Sequence, residues 1–131
     1  QVSREHISTP SAPKLPFSQA VRVGDTCYLS GCIGSDASGK IPTAFEEQAR
    51  NTLKNVGIVL KAAGLEYSDV VKATVLLSDI RNFATLNDIY KEFFTAPFPA
   101  RTAYQAAALP YGALVEIEVI ADATKHHRSK L

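Results

Sequence analysis

The sequence predicts a single α+β domain with the element order β-β-α-β-α-β-β, in which two helices pack on one face of a sheet. Three observations support this class: an alternating hairpin pattern at 20–30, one long amphipathic helix in 43–64, and only two helical segments among five strand segments. Two helices are too few to cover both faces of a sheet. A chain of 131 residues fits one domain over 1–131.

The first part of the chain is rich in proline. Three prolines stand among small residues in 10–16, so residues 1–16 are expected to form an extended lead-in without a regular element. The core is expected to begin with two alternating runs, at 20–23 and 26–30, joined by Gly24-Asp25. A two-residue turn with glycine between such runs indicates a β-hairpin.

The most regular helical pattern follows a glycine-containing loop at 31–42. Thr43 and Glu46 have the three-residue spacing of a capping box, which predicts that the helix begins with Thr43 as its N-cap. Apolar residues then recur every three or four positions, and Gly64 provides a stop. The apolar stripe comprises Phe45, Ala49, Leu53, Val56, Leu60 and Ala63.

The second half of the chain alternates strand and helix patterns. The β-branched run at 70–77 has strand length, and an apolar face along 82–94 predicts a second helix. That face carries Phe83, Leu86, Ile89, Tyr90 and Phe93. Two prolines end the helix, and two final strands are predicted at 101–109 and 114–123.

The last strand has two chemically different faces. The parity that suits the helical side comprises Val115, Ile117, Val119 and Ala121. The opposite parity comprises Glu116, Glu118 and Ile120. An uncovered face that carries Ile120 and the small residues Ala103 and Ala107 predicts a partner subunit.

Charge and hydropathy exclude several classes of protein. Lys and Arg total 14 and Asp and Glu total 13, so the net charge of +1 gives no electrostatic reason to expect a nucleic acid or an anionic membrane. No apolar run approaches the roughly 18 residues of a membrane span, and the first residues lack the apolar stretch of a secretory signal. The sequence therefore predicts a soluble, intracellular protein.

Cysteine and histidine usage shows no zinc-binding pattern. Cys27 and Cys32 lie five positions apart, which places them on opposite faces of a regular strand, so we expect two buried thiols and no mutual disulfide. The three histidines lie near the termini, at His6, His126 and His127, and form no zinc-binding pattern with the cysteines.

Two charged residues in predicted strands are candidates for a functional site. Arg and Glu are almost never fully buried without a partner. The guanidinium of Arg101 is suited to holding a carboxylate through two parallel hydrogen bonds, and Glu116 is suited to orienting a water and shuttling its proton. The alternative is a structural ion pair between Arg101 and Glu116 or Glu118 at a subunit interface.

Simple pairing of the last two strands does not bring this pair together. Arg101 would face about residue 121, which leaves Glu116 five positions, or roughly 17 Å, away along the strand. One small substrate could not touch both residues. A shared site needs either a different strand order or two chains that contribute to one pocket, and the residues alone leave both open.

The segments around Arg101 and Glu116 form a distinctive pattern: Pro-Ala-Arg-Thr-Ala-Tyr-Gln at 99–105, Leu109-Pro110 and Val-Glu-Ile-Glu at 115–118. This pattern closely resembles the signature of the RidA/YjgF family of reactive-intermediate imine deaminases. Further family-like pieces lie in register, at 18–20, 28–31, 56–57, 61–64, 71–75 and 83–87. The resemblance covers nearly the whole chain.

The resemblance implies a chorismate-mutase-like mixed sheet, with the arginine strand at its edge and not beside the glutamate strand. It implies a homotrimer with three sites in clefts between subunits. It also implies hydrolysis of 2-imino acids, such as 2-iminobutanoate and 2-iminopropanoate, or of their enamine tautomers. The products are 2-keto acids and ammonia, and no metal or cofactor takes part.

The resemblance assigns roles to individual residues. Arg101 would hold the substrate carboxylate, and Glu116 would position the attacking water and handle its proton. Ser30 and Gly31 would line the pocket near the substrate, and Asn87 would complete its wall from across the interface. We also expect burial to raise the pKa of Glu116.

Three positions depart from the family pattern. Where many members have tyrosine after Gly-Pro, this chain has Phe17, which can close the pocket but offers no hydroxyl. Cys32 stands where glutamine is common, and Ala103 stands where bacterial members often have cysteine. We expect Cys32 to be a bystander thiol and not a nucleophile.

Two other functions are alternatives to deamination. Some animal relatives are described as translation inhibitors or endoribonucleases that act on single-stranded RNA, but the near-zero net charge and the absence of an aromatic and basic platform argue against nucleic acid here. The other alternative is a trimer that binds small carboxylates, or acts as a chaperone, without turnover.

The last eight residues, 124–131, form a basic segment that is expected to be flexible. It ends in Ser129, Lys130 and Leu131, the peroxisomal address that an import receptor reads. The sequence therefore predicts peroxisomal import if the chain is eukaryotic, and a cytoplasmic protein otherwise.

Overall fold

The computed structural model describes residues 3–10 and 12–125 and contains one six-stranded sheet with two α-helices. The strands are β1 (Arg4–Ile7), β2 (Ala20–Val23), β3 (Thr26–Leu29), β4 (Val70–Leu77), β5 (Ala100–Gln105) and β6 (Val115–Asp122). The helices are α1 (Phe45–Ala62) and α2 (Phe83–Tyr90). Within the described ranges, no helix has both the length and the apolar character needed to cross a bilayer.

The sheet has the strand order β1-β2-β3-β6-β4-β5. Strands β4 and β5 are parallel, and the other neighbouring strands are antiparallel, so the sheet is mixed. The arginine strand β5 lies at one edge, and β4 separates it from the glutamate strand β6. The mixed α+β sheet and the edge position of the arginine strand, both implied by the family resemblance, are confirmed.

Both helices pack on one face of the sheet. The face of β6 that carries Ile117 and Val119 is buried in the same core as Leu53 of α1 and Leu86 of α2. The residues of β6 that point the opposite way are partly or largely exposed. The predicted division of this strand into a helical side and an open side is therefore correct.

Helix α1 begins at Phe45, and its N-terminus differs from the prediction. Ala44, not Thr43, is the N-cap, and no side chain caps the helix there. Two features stabilise this end instead: Glu46 and Glu47 place negative charge in the first turn, and Gln48 bridges to the backbone on both sides. The predicted stop is confirmed, since Gly64 has a φ of 76°.

Helix α2 is shorter than the 82–94 segment predicted for it. It begins at Phe83, after a turn of 3-10 helix, and ends at Tyr90. Residues 91–93 continue as turns, and the backbone N–H of Phe94 still donates to the carbonyl of Tyr90 at 3.0 Å. The apolar periodicity extends beyond the helix because Phe93 and Phe94 pack into the core from this turn.

The expectation of an extended lead-in over 1–16 without a regular element is wrong at 4–7. This segment forms β1, which pairs antiparallel with β2 and raises the strand count from five to six. Only one of its four residues is apolar, so sequence periodicity gives no strand signal. Backbone pairing with β2 makes this segment a strand instead.

A buried arginine fastens β1 to the rest of the domain. Arg22 of β2 is only 6% exposed, and its Nε and Nη2 donate to Glu5 of β1 at 3.2 and 2.6 Å. Its Nη1 donates to the carbonyl of Ala63, at the C-terminus of α1, at 2.6 Å. A cation at this end of a helix also interacts favourably with the helix dipole.

The assignment of Ala103 to the uncovered face is wrong. Ala103 of β5 pairs with Val75 of β4, which is fully buried on the helical side, so Ala103 packs against the core. Strand β5 ends at Gln105, so Ala107 lies beyond the sheet and is exposed. Alternation along one strand shows which residues share a face, but not which face of the sheet that is. The side of Ala103 depends on the register between β5 and β4, which the sequence does not show.

The start of the predicted basic tail is tied to the domain. The ammonium group of Lys125 lies 3.0 Å from Glu66 and 2.8 Å from Asp69. The proposed import signal of Ser129, Lys130 and Leu131 lies outside the described residues and stays a prediction.

We predict that Arg22→Leu destabilises the protein more than Arg50→Leu does. Arg22→Leu removes buried hydrogen bonds to a carboxylate and to a helix carbonyl, so the free energy of unfolding is expected to fall by about 1–3 kcal/mol. Arg50 also pairs with a glutamate, Glu92, but both side chains are exposed, and solvent screens that pair. Urea unfolding measures both losses, and equal losses would contradict the prediction.

Candidate functional site

Arg101 lies on the helical side of β5, beneath α2. It pairs in register with the buried Ala73 of β4, and its own side chain is half-buried. The Nη2 of Arg101 donates to Oδ1 of Asn87 at 2.7 Å. The guanidinium carbon lies 4.8 Å from the ring centre of Tyr90 and 5.5 Å from that of Phe83.

A cavity of about 310 Å³ opens beside this guanidinium. Arg101, Asn87 and Tyr90 line one part of it, and Lys91, Phe98 and Pro99 line another. In the part of the chain that the structure describes, no carboxylate forms an ion pair with Arg101. The guanidinium group of Arg101 is therefore free to bind an anion through its remaining N–H groups.

Glu116 lies on the open face of the sheet, in the central strand β6. It pairs in register with Leu76 of β4, and its side chain is half-buried. The carboxyl group packs directly against the backbone of Gly31, where a methyl group would lie 2.9 Å from Cδ and would also collide with Oε2. Burial, and secondarily the charge of Glu118, raises the pKa of Glu116.

The backbone of Cys32 brings Gly31 to this carboxylate. The N–H of Cys32 donates to the carbonyl of Ile117 at 2.8 Å, and the N–H of Ile117 donates back at 3.0 Å. Burial, assisted by the charge of Glu116, raises the pKa of the Cys32 thiol to about 12. The thiol is therefore protonated at neutral pH, as expected for a bystander, and both cysteines are free.

Arg101 and Glu116 lie on opposite faces of the sheet. Because β4 lies between their strands and their registers differ by three residues, their Cα atoms are roughly 14 Å apart. An ion pair between them within one chain is excluded by this arrangement. The same face assignment separates Arg101 from Glu118. Arg101 and Glu116 therefore lie in two separate groups of residues, which we call the Arg101 half-site and the Glu116 half-site.

The sequence and the fold were compared with those of known proteins. A family model described as endoribonuclease L-PSP matches residues 7–123. Over 122 residues, the chain is 55% identical to the 2-iminobutanoate/2-iminopropanoate deaminase of Bos taurus, covering 90% of this chain and 89% of the relative. The chain belongs to the RidA/YjgF family.

Solved structures agree with this membership. RidA from an Antarctic Psychrobacter bacterium superposes with a TM-score of 0.87 at 40% identity, over 90% of this chain and 98% of that one. Escherichia coli TdcF with bound serine superposes with a TM-score of 0.85, also at 40% identity and with the same coverage. The mixed six-stranded sheet of this RidA/YjgF protein is therefore the fold of its relatives.

The residues that the resemblance singled out divide between the two half-sites. Gly31 adjoins Glu116, whereas Asn87 and Ala103 lie with Arg101 on the helical side. The resemblance implies that Asn87 acts from across an interface, but in the structure it is the direct partner of Arg101 in the same chain. The roles of these residues toward a ligand stay predictions.

Ser30 directly precedes Gly31, which adjoins the Glu116 half-site. The hydroxyl of Ser30 donates to the backbone carbonyl of Ser18 at 2.6 Å, so it holds the segment between the lead-in and β2 in place. Phe17 lies in that segment and is 49% exposed. That Phe17 closes a pocket stays a prediction.

Sequence reasoning missed the aromatic surroundings of Arg101. Phe83 and Tyr90 were assigned to the core face of the second helix, because their spacing is that of an amphipathic stripe. Together with Asn87 they occupy positions i, i+4 and i+7 of α2, one face of the helix, and that face meets the arginine strand. Asn87 is a polar residue on the same helix face as Phe83 and Tyr90, and it was the available sign that this face is more than a core stripe.

We predict that Gly31→Ala lowers the pKa of Glu116. The added methyl group displaces the carboxylate from the Gly31 backbone toward solvent, which relieves the burial that raises the pKa. Carboxyl-carbon NMR titration measures this shift toward the ordinary glutamate value. The melting temperature is expected to change little, since the displaced atoms are the end of a flexible side chain. An unchanged pKa in the folded variant would contradict the close packing.

Proposed function

We propose that this protein hydrolyses reactive 2-imino acids, and their enamine tautomers, to 2-keto acids and ammonia. The observation that carries the proposal is the guanidinium of Arg101, which is held by Asn87, lines a cavity and has no carboxylate partner in the described chain. Curated relatives named 2-iminobutanoate/2-iminopropanoate deaminase, at 52–55% identity, support this substrate class. A relative with bound serine supports a small ligand that carries a carboxylate.

In this proposal, a complete site forms only between two copies of the chain. Arg101 of one copy and Glu116 of another face one cleft, because a single chain keeps them on opposite faces of its sheet. The open face around Glu116 carries the exposed Tyr28 and Glu118 and the partly exposed Ile120, which suits burial against a second subunit. We propose that the assembly is a homotrimer, as the family resemblance implies.

The proposed reaction needs binding, orientation and one proton relay. Arg101 holds the substrate carboxylate, which places the C=N carbon near a water on Glu116. Glu116 accepts a proton from the water as the water oxygen bonds to the C=N carbon, and it passes that proton to the nitrogen to give an amino alcohol. Glu116 then takes the proton of the new hydroxyl group and passes it to the nitrogen as the C–N bond breaks and the C=O bond forms. Ammonia and the 2-keto acid leave.

The raised pKa of Glu116 suits this relay. A base whose pKa lies closer to neutrality accepts a proton more readily, and its conjugate acid still returns that proton to the leaving nitrogen. The described part of the chain brings together no group of three metal-ligating side chains. The reaction as written draws on the protein's own side chains and on water.

A second candidate, cleavage of single-stranded RNA, comes from the description of the matching family model as endoribonuclease L-PSP. The net charge of +1 provides no phosphate-binding excess. Carboxylate binding without turnover is the remaining candidate. The same set of variants separates these three functions.

We predict that Arg101→Ala and Glu116→Gln each lose most of the catalysed hydrolysis. A threonine dehydratase generates 2-iminobutanoate, and keto-acid release is measured above the spontaneous rate. Loss of the charge-assisted bonds to the carboxylate is expected to lower kcat/KM about 10- to 100-fold for Arg101→Ala. Loss of the proton relay is expected to lower kcat about 100-fold or more for Glu116→Gln.

Arg50→Ala is the matched control, since it removes an exposed arginine from a surface ion pair and is expected to leave the rate unchanged. No acceleration by the unmodified protein would contradict the deaminase proposal. Binding of 2-oxobutanoate without acceleration would favour the non-catalytic candidate. Cleavage of single-stranded RNA that survives in Arg101→Ala would favour the nuclease.

Mixed oligomers test the shared cleft. When the Arg101→Ala and Glu116→Gln chains are co-expressed in equal amounts, clefts that combine the intact Arg101 of one chain with the intact Glu116 of the other regain activity. Random assembly is expected to restore about a quarter of the full rate. No recovery in oligomers shown to contain both chains, or a monomeric mass in ultracentrifugation, would contradict the two-chain site.

If Leu131 is the natural carboxyl terminus, we further propose that Ser129, Lys130 and Leu131 direct the protein to peroxisomes through an import receptor. A fluorescent protein that ends in residues 124–131 is expected to become punctate in eukaryotic cells. The same fusion without the last three residues is the control. Diffuse fluorescence from the full fusion would contradict the proposal.

A further inference from the structure

The Arg101 half-site contains an aromatic ring to which no role has been assigned. Tyr90, the last residue of α2, lies one turn after Asn87, so both side chains reach the same guanidinium. Asn87 holds the Nη2 edge of Arg101, and the guanidinium carbon lies 4.8 Å from the ring centre of Tyr90. This distance is within the range of a cation–π contact.

The ring of Tyr90 is itself held firmly. Its side chain is only 5% exposed, and it stacks on Phe94 with 4.6 Å between ring centres and 29° between ring planes. Phe94 in turn makes a T-shaped contact with Tyr67 at 5.4 Å between ring centres, and the Tyr67 hydroxyl donates to the backbone carbonyl of Leu53 in α1 at 2.7 Å. A chain of contacts thus fixes the ring to the core.

The hydroxyl of Tyr90 plays no part in this arrangement. It is buried and has no hydrogen-bond partner in the described residues. The ring, and not the hydroxyl, is therefore what meets Arg101. Phenylalanine would provide the same aromatic surface, whereas leucine would fill much of the space without a π system.

We infer that the Tyr90 ring is a positioning residue for the anchor at Arg101. The arginine side chain has several rotatable bonds, and a carboxylate that binds through two parallel bonds needs the guanidinium plane in one orientation. Asn87 fixes one edge of the guanidinium, and the Tyr90 ring restricts its remaining rotation. The inference rests on the proposed function, because it assigns Tyr90 to the binding of the same carboxylate.

The inference predicts different effects for two substitutions of Tyr90. Tyr90→Leu is expected to raise KM about 3- to 30-fold with kcat within about twofold of the unmodified value, because the freed guanidinium binds the carboxylate less well. Tyr90→Phe keeps the ring and is expected to retain the unmodified KM. Calorimetry with 2-oxobutanoate, a stable carboxylate probe, is expected to show the same pattern in Kd.

Phe93→Leu is the matched control. Phe93 packs on Tyr67 at 5.7 Å, so its substitution loses an aromatic contact in the same cluster and leaves the Tyr90 ring in contact with Arg101. It is expected to lower the melting temperature without changing KM or Kd. NMR of the Arg101 side-chain N–H provides a further readout, since the ring-current shift from Tyr90 persists in Tyr90→Phe and disappears in Tyr90→Leu.

Three outcomes would overturn the inference: an unchanged KM in folded Tyr90→Leu, a Tyr90→Phe variant as weak as Tyr90→Leu, or an equal rise in KM in Phe93→Leu. If Tyr90→Leu does not fold, Tyr90→Met, with a more adaptable side chain, is measured in its place, and Tyr90→Phe still tests the hydroxyl.

Arg101→Ala separates this inference from the proposed function. If Arg101→Ala binds 2-oxobutanoate as well as the unmodified protein does, the proposal that Arg101 binds the carboxylate is contradicted. If Arg101→Ala loses binding while folded Tyr90→Leu retains it, only the role of Tyr90 fails.

Discussion

Strand β4 pairs with β6 on one side and with β5 on the other, and this double pairing determines the faces on which Arg101 and Glu116 lie. Paired residues in a sheet point to the same side. Arg101 pairs with the buried Ala73 and therefore lies on the helical side, whereas Glu116 pairs with the partly exposed Leu76 and lies on the open side. Neither charge meets the other within the chain. The sheet thus excludes an internal salt bridge between Arg101 and Glu116.

The two half-sites use different physical means to keep a charged group available. Helix α2 holds Arg101 from above, through an amide oxygen and two aromatic rings, so the guanidinium is oriented but not neutralised. The other half-site holds a carboxylate against a backbone that has no side chain at Gly31. Partial burial, with no cation paired to this carboxylate among the described residues, disfavours the ionised form of Glu116. In the proposed function, a small ligand with one carboxylate and a polar C=N bond complements both half-sites.

Much of the fold could be predicted from the sequence, because its local signals agree with its tertiary contacts. The hairpin at 20–29, the strand Val70–Leu77 and the stripe of α1 are examples. Strand β1 was missed because its order comes from pairing and from the buried Arg22, not from its own pattern. The face of Ala103 depended on register between strands. Arg101 and Glu116 stood out as charges in strands, but Phe83 and Tyr90, whose rings contact Arg101, were hidden in an ordinary apolar stripe.

The pairing of Cys32 with Ile117 has a chemical consequence for a site of this kind. Imines are electrophiles, and a thiolate beside one would add to its carbon and compete with water. Cys32 follows Gly31 in the chain, but its pairing with Ile117 turns its side chain to the helical side, where it packs against the core and not beside Glu116. Burial, with a smaller contribution from the charge of Glu116, raises the pKa of the thiol to about 12. The strand pairing thus keeps this sulfur both protonated and away from the carbon of the proposed substrate.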